Sequence, residues 1–383
     1  MTQTNANPTC PTELLAKFSL MAVLFAVVVI MLGAWTRLVD AGLGCPDWPG
    51  CYGFLTVPQD EARTAIANAR FPDTPVEVEK GWPEMIHRYA ASTLGLIVFG
   101  LAGYALRHRR EGLPVKLACF TAAFIILQGA FGMWTVTLKL WPQVVALHLL
   151  GGFTTLSLLT LLTLRLRRLA AISRNAGQSS DSALQSGQKQ DSSTSSPLIA
   201  RFRPWLYGGL ALVVMQIALG AWTAANYAAV ACTDLPTCQG EWWPSNMDFR
   251  HGFDIAQQVG PNYLGGQLTA DGRVAIHVTH RAGALLVLVY FTILLALLWR
   301  RLAGTTLAWH LALVASVLAL QITLGLANVI YHIPLSVAIA HNAMGAGLLL
   351  SIINLIWRLR SVPFSLSVRQ SKQPIINDRE VSA

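Results

Sequence analysis

Long stretches free of ionised side chains alternate with short polar segments along the chain. In the first half they run from Phe18 to Thr36, Tyr89 to Leu106, Leu117 to Leu138 and Leu140 to Leu164. Each approaches or exceeds the roughly 20 apolar residues that carry an α-helix across a bilayer. The second half supplies Pro204 to about Ala231, Ala282 to Trp299, and a longer stretch from Leu302 to Trp357 that must turn back near His332, Ile333 and Pro334. The pattern therefore predicts an all-α membrane protein with eight transmembrane helices, the His-Arg pairs at 87–88 and 280–281 lying inside the second and sixth.

The spans fall into two similar sets of four. A shift of 187 residues lays Leu32-Gly33-Ala34-Trp35-Thr36 on Leu219 to Thr223, and the Cys45 to Cys51 segment on Cys232 to Cys238. After a small insertion, a shift of 193 lays His87 and Arg88 on His280 and Arg281, Gln128 on Gln321, Gly132 on Gly325 and His148 on His341. An internal repeat of this kind predicts two like structural units. Because each unit has an even number of spans, both share one orientation, and the expected architecture is two tandem four-helix bundles related by a pseudo-twofold axis along the membrane normal. The first half spans 17–170 and the second 204–361. Between them, 171–203 is rich in Ser, Gln, Asn and Asp, too poor in bulky apolar residues to form a core, and reads as a flexible cytoplasmic linker. The tail after Pro363 has the same character.

Composition agrees, with 54% hydrophobic and 12% charged residues and a mean hydropathy of +0.48. The formal charge of +9 requires no nucleic-acid partner, because the basic residues gather in particular loops. Arg107, Arg109, Arg110 and Lys116 follow the second span; Arg165, Arg167, Arg168 and Arg174 follow the fourth; Arg300 and Arg301 follow the sixth. Those loops are expected on the cytoplasmic side, with both chain ends, near anionic lipid. The longer loops at about 39–83 and 232–272 then face outward. Residues 1–16 lack the arginines of a mitochondrial presequence, and cleavage behind the first span would destroy the repeat, so a bacterial cytoplasmic membrane is the expected location.

Each outward loop carries a cysteine pair with one spacing, Cys45 with Cys51 and Cys232 with Cys238. In an oxidising compartment these form structural bridges or labile, redox-active ones, and both readings stay open. Five intervening residues fit no usual zinc spacing. Cys10 and Cys119 are expected to be free thiols.

His87, His148, His280 and His341 lie at similar depths below the outer ends of their helices, two per half and each on a separate helix. One intramembrane histidine is most simply a polar contact between helices; four at repeat-equivalent positions suit the axial sites of two haem irons. Arg88 and Arg281 follow two of them and either hold haem propionates or reach the outer interface. Glu84 shares a helix face with His87, whereas the matching residue of the second half is His277, to which no role attaches. Arg37 and Asp40 align with Ala224 and Tyr227. Proton-transfer chemistry would thus sit in the first half, unless Glu84 and Asp40 only pair with Arg37 or Arg88. His108, His251, His310 and His332 read as interfacial or solvated. Tryptophans 35, 82, 134, 141, 222, 242 and 243 fit an aromatic belt, and the glycines near the histidines allow close approach of helices or of a flat porphyrin.

Two four-helix halves, Glu84-Met-Ile-His87-Arg88, His280-Arg281, His148 and His341, and the two cysteine pairs together resemble the haem A synthase family over about 17–360. The resemblance implies oxidation of the C8 methyl of haem O to the formyl of haem A for cytochrome oxidase. It implies haem b on His280 and His341, haem O on His87 and His148, and Glu84 at the reacting edge. It also implies a haem O synthase upstream and cytochrome oxidase assembly factors as partners, and a homo-oligomer is compatible with it. A quinol-linked cytochrome b-type electron carrier that leaves its haems unmodified is the competing reading. A transporter would place its ionisable groups at the midplane instead.

Overall fold

The computed structural model describes residues 11–182 and 197–361, with side chains over 12–174 and 201–360. The first half contains α1 (Pro11–Leu38), α2 (Glu61–Arg70), α3 (Val78–Arg107), α4 (Val115–Thr137) and α5 (Pro142–Ser182). The second contains α6 (Pro197–Ala225), α7 (Phe249–Gly252), α8 (Ala270–Leu302), α9 (Ala308–Ile330) and α10 (Leu335–Ser361). Among the described residues, eight of these helices are long and apolar enough to cross a membrane, α2 and α7 being the two short ones. The only β-pairing among them is two isolated bridges, Cys51 with Phe54 and Cys238 with Glu241.

The structure lengthens several expected spans. α3 starts at Val78, ahead of the membrane entry that the sequence suggests near Trp82, and carries Pro83 inside it. α5 continues to Ser182 and α6 begins at Pro197, so helix occupies both ends of the segment read as a linker; 183–196 lies outside the described residues. A polar composition removes the means of forming a core but does not stop a chain of Arg, Ala, Leu and Gln from coiling. Cys10 also lies outside the described residues, and Cys119 is a free thiol on α4.

In the first half α1 packs on α3 and α5, and α4 joins α3 to α5; in the second α6 packs on α8 and α10, and α9 joins α8 to α10. The halves meet where α5 lies on α6 and α1 on α10, two contacts that exchange equivalent helices. Because lipid is as apolar as leucine, close packing holds such bundles together. Leu156, Leu159, Leu162 and Leu166 are fully buried along α5, and Ile352 and Leu355 along α10. A buried polar contact from α1 to α5, Ser19 Oγ to Thr163 Oγ1 at 2.7 Å, is worth about 0.6 kcal/mol by the average for such bonds in membranes.

Backbone detail follows the repeat. The non-glycine residues with positive φ form four equivalent pairs, Asp40 with Tyr227, Tyr52 with Gln239, Lys139 with His332 and Leu140 with Ile333. The last two pairs build the tight α4–α5 and α9–α10 turns, so His332, at φ 55°, is a turn residue. β-Branched Ile333 is an uncommon occupant of the left-handed region. The loop before α8 also grips the first half: Trp141 Nε1 donates to Gln257 O and Tyr263 N to Lys139 O, both at 3.0 Å.

Candidate functional site

All four histidines enter from the face that carries the cystine loops. His148 and His341 each lie six residues into α5 and α10, roughly 9 Å along the helix, while His87 and His280 lie nine and ten residues into α3 and α8, roughly 14 Å. The two halves agree in these positions to within one residue.

Each imidazole rests against a glycine of a neighbouring helix. A Cβ added at Gly33 would come within 2.8 Å of His87 Cε1, one at Gly132 within 3.3 Å of His148 Cε1, and ones at Gly220 and Gly325 within 3.1 Å of His280 and His341 Cε1. These glycines are repeat-equivalent in pairs. They are therefore recesses for the rings, a more particular role than the general close packing read from sequence.

The His87 and His148 rings stand edge-on, 89° apart, with centres separated by 6.4 Å. Two imidazole nitrogens each about 2 Å from one metal, with the rest of each ring beyond, put the ring centres roughly 6 Å apart. The pair thus fits two axial positions on one iron. His87 Nδ1 and His341 Nδ1 are buried without a side-chain partner. No cluster of three or more His, Cys, Asp or Glu among the described residues is arranged to hold a bare metal ion; a haem iron draws on two.

Residues flanking the histidines hold the cystine loops. Glu84, 4% exposed, is the one buried carboxylate among the described residues. It accepts from Cys45 N at 2.8 Å and from Arg88 Nη2 at 2.5 Å. Arg88 Nη1 donates to the carbonyls of Asp47 and Gly50. The second half repeats the arrangement with different chemistry: His277 Nδ1 faces Cys232 N at 3.3 Å, and Arg281 donates to the carbonyls of Cys232, Asp234 and Thr237. His277, without a role in the sequence reading, is the loop anchor that stands where Glu84 stands. Asp40 pairs with Arg37, whose guanidinium lies 3.7 Å from the Tyr227 ring centre and donates to Ala224 O.

Both cysteine pairs are bridged, Cys45 to Cys51 and Cys232 to Cys238, each closing a short loop worth about 2 kcal/mol. Inside each loop an aspartate organises the turn. Asp47 accepts from Tyr52 N and Gly53 N, Asp234 from Gln239 N and Gly240 N. The sequence shows both aspartates at one place in the repeat, yet their role needs the folded turn to be visible. The Thr237 hydroxyl and these amides pull the Asp234 carboxyl down to about 2. A depressed acid stabilises the fold above its free value, near 3.8, and loses that contribution as pH falls through about 2. Reduction of Cys232–Cys238 by a phosphine should accordingly keep its rate between pH 7 and about 4, and Asp234→Asn should speed it throughout; equal rates would show that Asp234 does not guard the bridge.

Two glutamines stand beside the histidines. Gln128 Nε2 lies 3.1 Å from His148 Nδ1, and Gln216 Nε2 lies 3.1 Å from His280 Nδ1. Gln128 was legible as part of the repeat; Gln216 was not, because Val29 occupies its place in the first half.

The chain is similar to known proteins over most of its length. A family model described as Cytochrome oxidase assembly protein (COX15-CtaA) matches residues 16–353. A haem A synthase of Shewanella oneidensis is 42% identical over 331 residues, covering 86% of this chain and 92% of that protein. Haem A synthases of Caulobacter vibrioides, at 28% over 90% of this chain and 94% of theirs, and of a Chelativorans species, at 27% over 85% of both, are more distant relatives.

Proposed function

The chain belongs to the COX15-CtaA family of cytochrome oxidase assembly proteins, and we propose that it is a haem A synthase, oxidising the C8 methyl of haem O to the formyl of haem A within its first half. The observation that carries the proposal is the His87–His148 pair, with ring centres 6.4 Å apart, in a chain whose 42%-identical relative is a haem A synthase.

In this reading His87 and His148 hold haem O as substrate, and His280 and His341 hold haem b. When bound, haem b supplies a one-electron relay. The protein provides position and charge. Glu84 keeps a carboxylate one turn from His87, balanced by Arg88 and by the Cys45 N–H, so a proton can be held beside the reacting edge without an isolated buried charge. Arg281 retains a buried Nε without a partner, the donor left for a propionate; Arg88 would serve a propionate only by what the loop carbonyls on Nη1 and Glu84 on Nη2 leave of its donors. The two bridges fix these arginine anchors over the site.

The two halves stand as four-helix units about a pseudo-twofold axis, a reading supported by the reciprocal α1–α10 and α5–α6 contacts. The cystine loops face outward and both termini lie in the cytoplasm of a bacterium, in accord with the arginines at the opposite helix ends and the oxidised cysteines. The farnesyl tail of haem O enters laterally from lipid with little desolvation cost. A haem O synthase supplies the substrate, and cytochrome oxidase assembly factors receive the product.

The test is chromatography with mass analysis of haems extracted from bacteria that make haem O, with and without this chain. Appearance of haem A or of hydroxylated haem O is the expected result. Aerobic cells in which haem O stays unchanged while the protein carries haem b would instead favour the electron carrier.

A further inference from the structure

The outer loop of the second half exposes aromatic rings at positions where the first half has none. Trp242 is 77%, Trp243 64% and Phe249 42% exposed; the repeat equivalents of the two tryptophans are Leu55 and Thr56. The rings form a ladder. Trp243 stacks on Phe249 with ring centres 6.1 Å apart, and Phe249 on Phe253 at 6.4 Å. Phe253 in turn packs on the cluster of Ala228, Leu268 and Ile276, and Ile276 lies about one turn outward of His280. The outer part of the ladder is fixed to the first turn of α8, because Asn246 Nδ2 donates to Asp271 Oδ1 at 2.8 Å and Asp248 N to Asp271 O at 3.3 Å.

Height decides what these rings meet. The uncharged stretch of α8 begins at Ala282, so Asp271 stands roughly 16 Å outside the hydrocarbon at the rise of a helix. The headgroup layer is only about 5–8 Å deep on each side. Trp242 and Trp243 therefore stand above the aromatic belt to which the sequence reading assigned them. An aromatic patch that faces water marks a contact with another protein. Charge says of which kind. Four carboxylates of the first half, Asp40, Asp60, Glu77 and Glu84, are paired with Arg37, Arg63, Lys80 and Arg88. Around the ladder, the exposed Glu241, Asp248 and Asp271 have no ion-pair partner among the described residues, and Arg250 is the only lysine or arginine in 232–272. The field over the patch is negative, and it attracts a basic surface.

We propose that the Trp243–Phe249 ladder and the carboxylates around it are the docking surface for a soluble one-electron carrier protein with a basic face, which reduces the second-half haem. In that step the carrier loses one electron and ferric haem iron becomes ferrous; no atom is transferred. The proposal rests on the haem b reading above and adds where its electrons arrive. The patch is well placed for this, because its loop lies over that site: Arg281, beside His280, donates to the carbonyls of Cys232, Asp234 and Thr237, and Cys238 and Glu241 exchange backbone hydrogen bonds at 2.9 and 3.1 Å. Contacts between electron carriers are small, short-lived and steered by charge, with a few aromatic anchors at the centre.

The probe is a lysine-rich c-type cytochrome whose iron is replaced by zinc, so that a light flash makes it a strong reductant. Its partner is the full-length protein with haem b bound, in discs of zwitterionic lipid, and transient absorption follows the ferrous b-type band. The bimolecular rate should fall about tenfold between about 10 and about 150 mM salt. Glu241→Gln with Asp248→Asn should slow it about fivefold at low salt, and Trp243→Ala by a similar factor; Glu61→Gln with Asp73→Asn, the same change of charge at exposed sites of the first half, should slow it less than about twofold. Rates are compared at equal b-type absorbance, so a variant that fails to fold is recognised by its spectrum, and the salt dependence of the wild type stands without any variant. A rate independent of salt, an unchanged rate in Glu241→Gln with Asp248→Asn, or equal slowing by the two double variants would overturn the proposal. So would a fall in the quenching of tryptophan fluorescence by brominated lipid in Trp242→Phe with Trp243→Phe, because the rings would then be a membrane anchor. A b-type spectrum that survives both His280→Ala and His341→Ala would instead overturn the haem reading beneath it.

Discussion

Replacing His148 with alanine is expected to abolish haem A formation while leaving the b-type spectrum of the second half intact, and replacing His341 is expected to remove that b-type spectrum. The structure gives each histidine one partner across its site, and for the first half the spacing of 6.4 Å between ring centres leaves room for an iron and its two bonds. Alanine removes one bond and also the ring that Gln128 Nε2 faces, while that amide keeps its bond to the main-chain carbonyl of residue 148. Pyridine haemochrome spectra of the purified variants, with extracted haem products measured in the same cells, check both halves together. Retention of full haem A formation by His148→Ala would remove this residue from the site.

The repeat is what made the site legible. Eight spans, paired cysteines and four equivalent histidines all follow from hydropathy and from two shifts of the sequence against itself, because a ligand that must reach a fixed point keeps its position in each copy. What stayed hidden was contact between residues far apart in the chain. Glu84 and His277 align, yet an acid and an imidazole share no obvious sequence-level purpose; only the fold shows both facing the backbone N–H of the first cysteine in a loop. Arg88 and Arg281 looked like propionate partners, whereas their guanidiniums spend most of their donors on loop carbonyls. Gln216 escaped notice because the first half has Val29 there, and a comparison that seeks identities passes over a difference. Helix ends were misjudged for a simpler reason. Ionised residues mark where the hydrocarbon ends, and α5 continues past that point.

Gly33→Ala should reduce haem A formation by about a hundredfold, and Gly132→Ala by a few-fold at most. Both glycines hold an imidazole against a helix, but the added methyl would lie 2.8 Å from His87 Cε1 in one case and 3.3 Å from His148 Cε1 in the other. The second distance is relieved by a shift of a few tenths of an ångström. The first requires the His87 ring to move by more than half an ångström, because the obstacle is helix backbone on one side and a rigid planar ring on the other. A displacement of about 1 Å at a reacting group costs on the order of a hundredfold in rate. His87 also has no glutamine to draw it back, since Val29 and Ala90 fill that space, whereas Gln128 restrains His148 against the smaller push. Haem A yield per molecule of membrane-inserted protein, measured by extraction and immunoblot, separates this effect from loss of folded protein. Equal yields from the two alanine variants would mean that the His87 ring has freedom to relocate without cost, and the recess at Gly33 would then be packing alone.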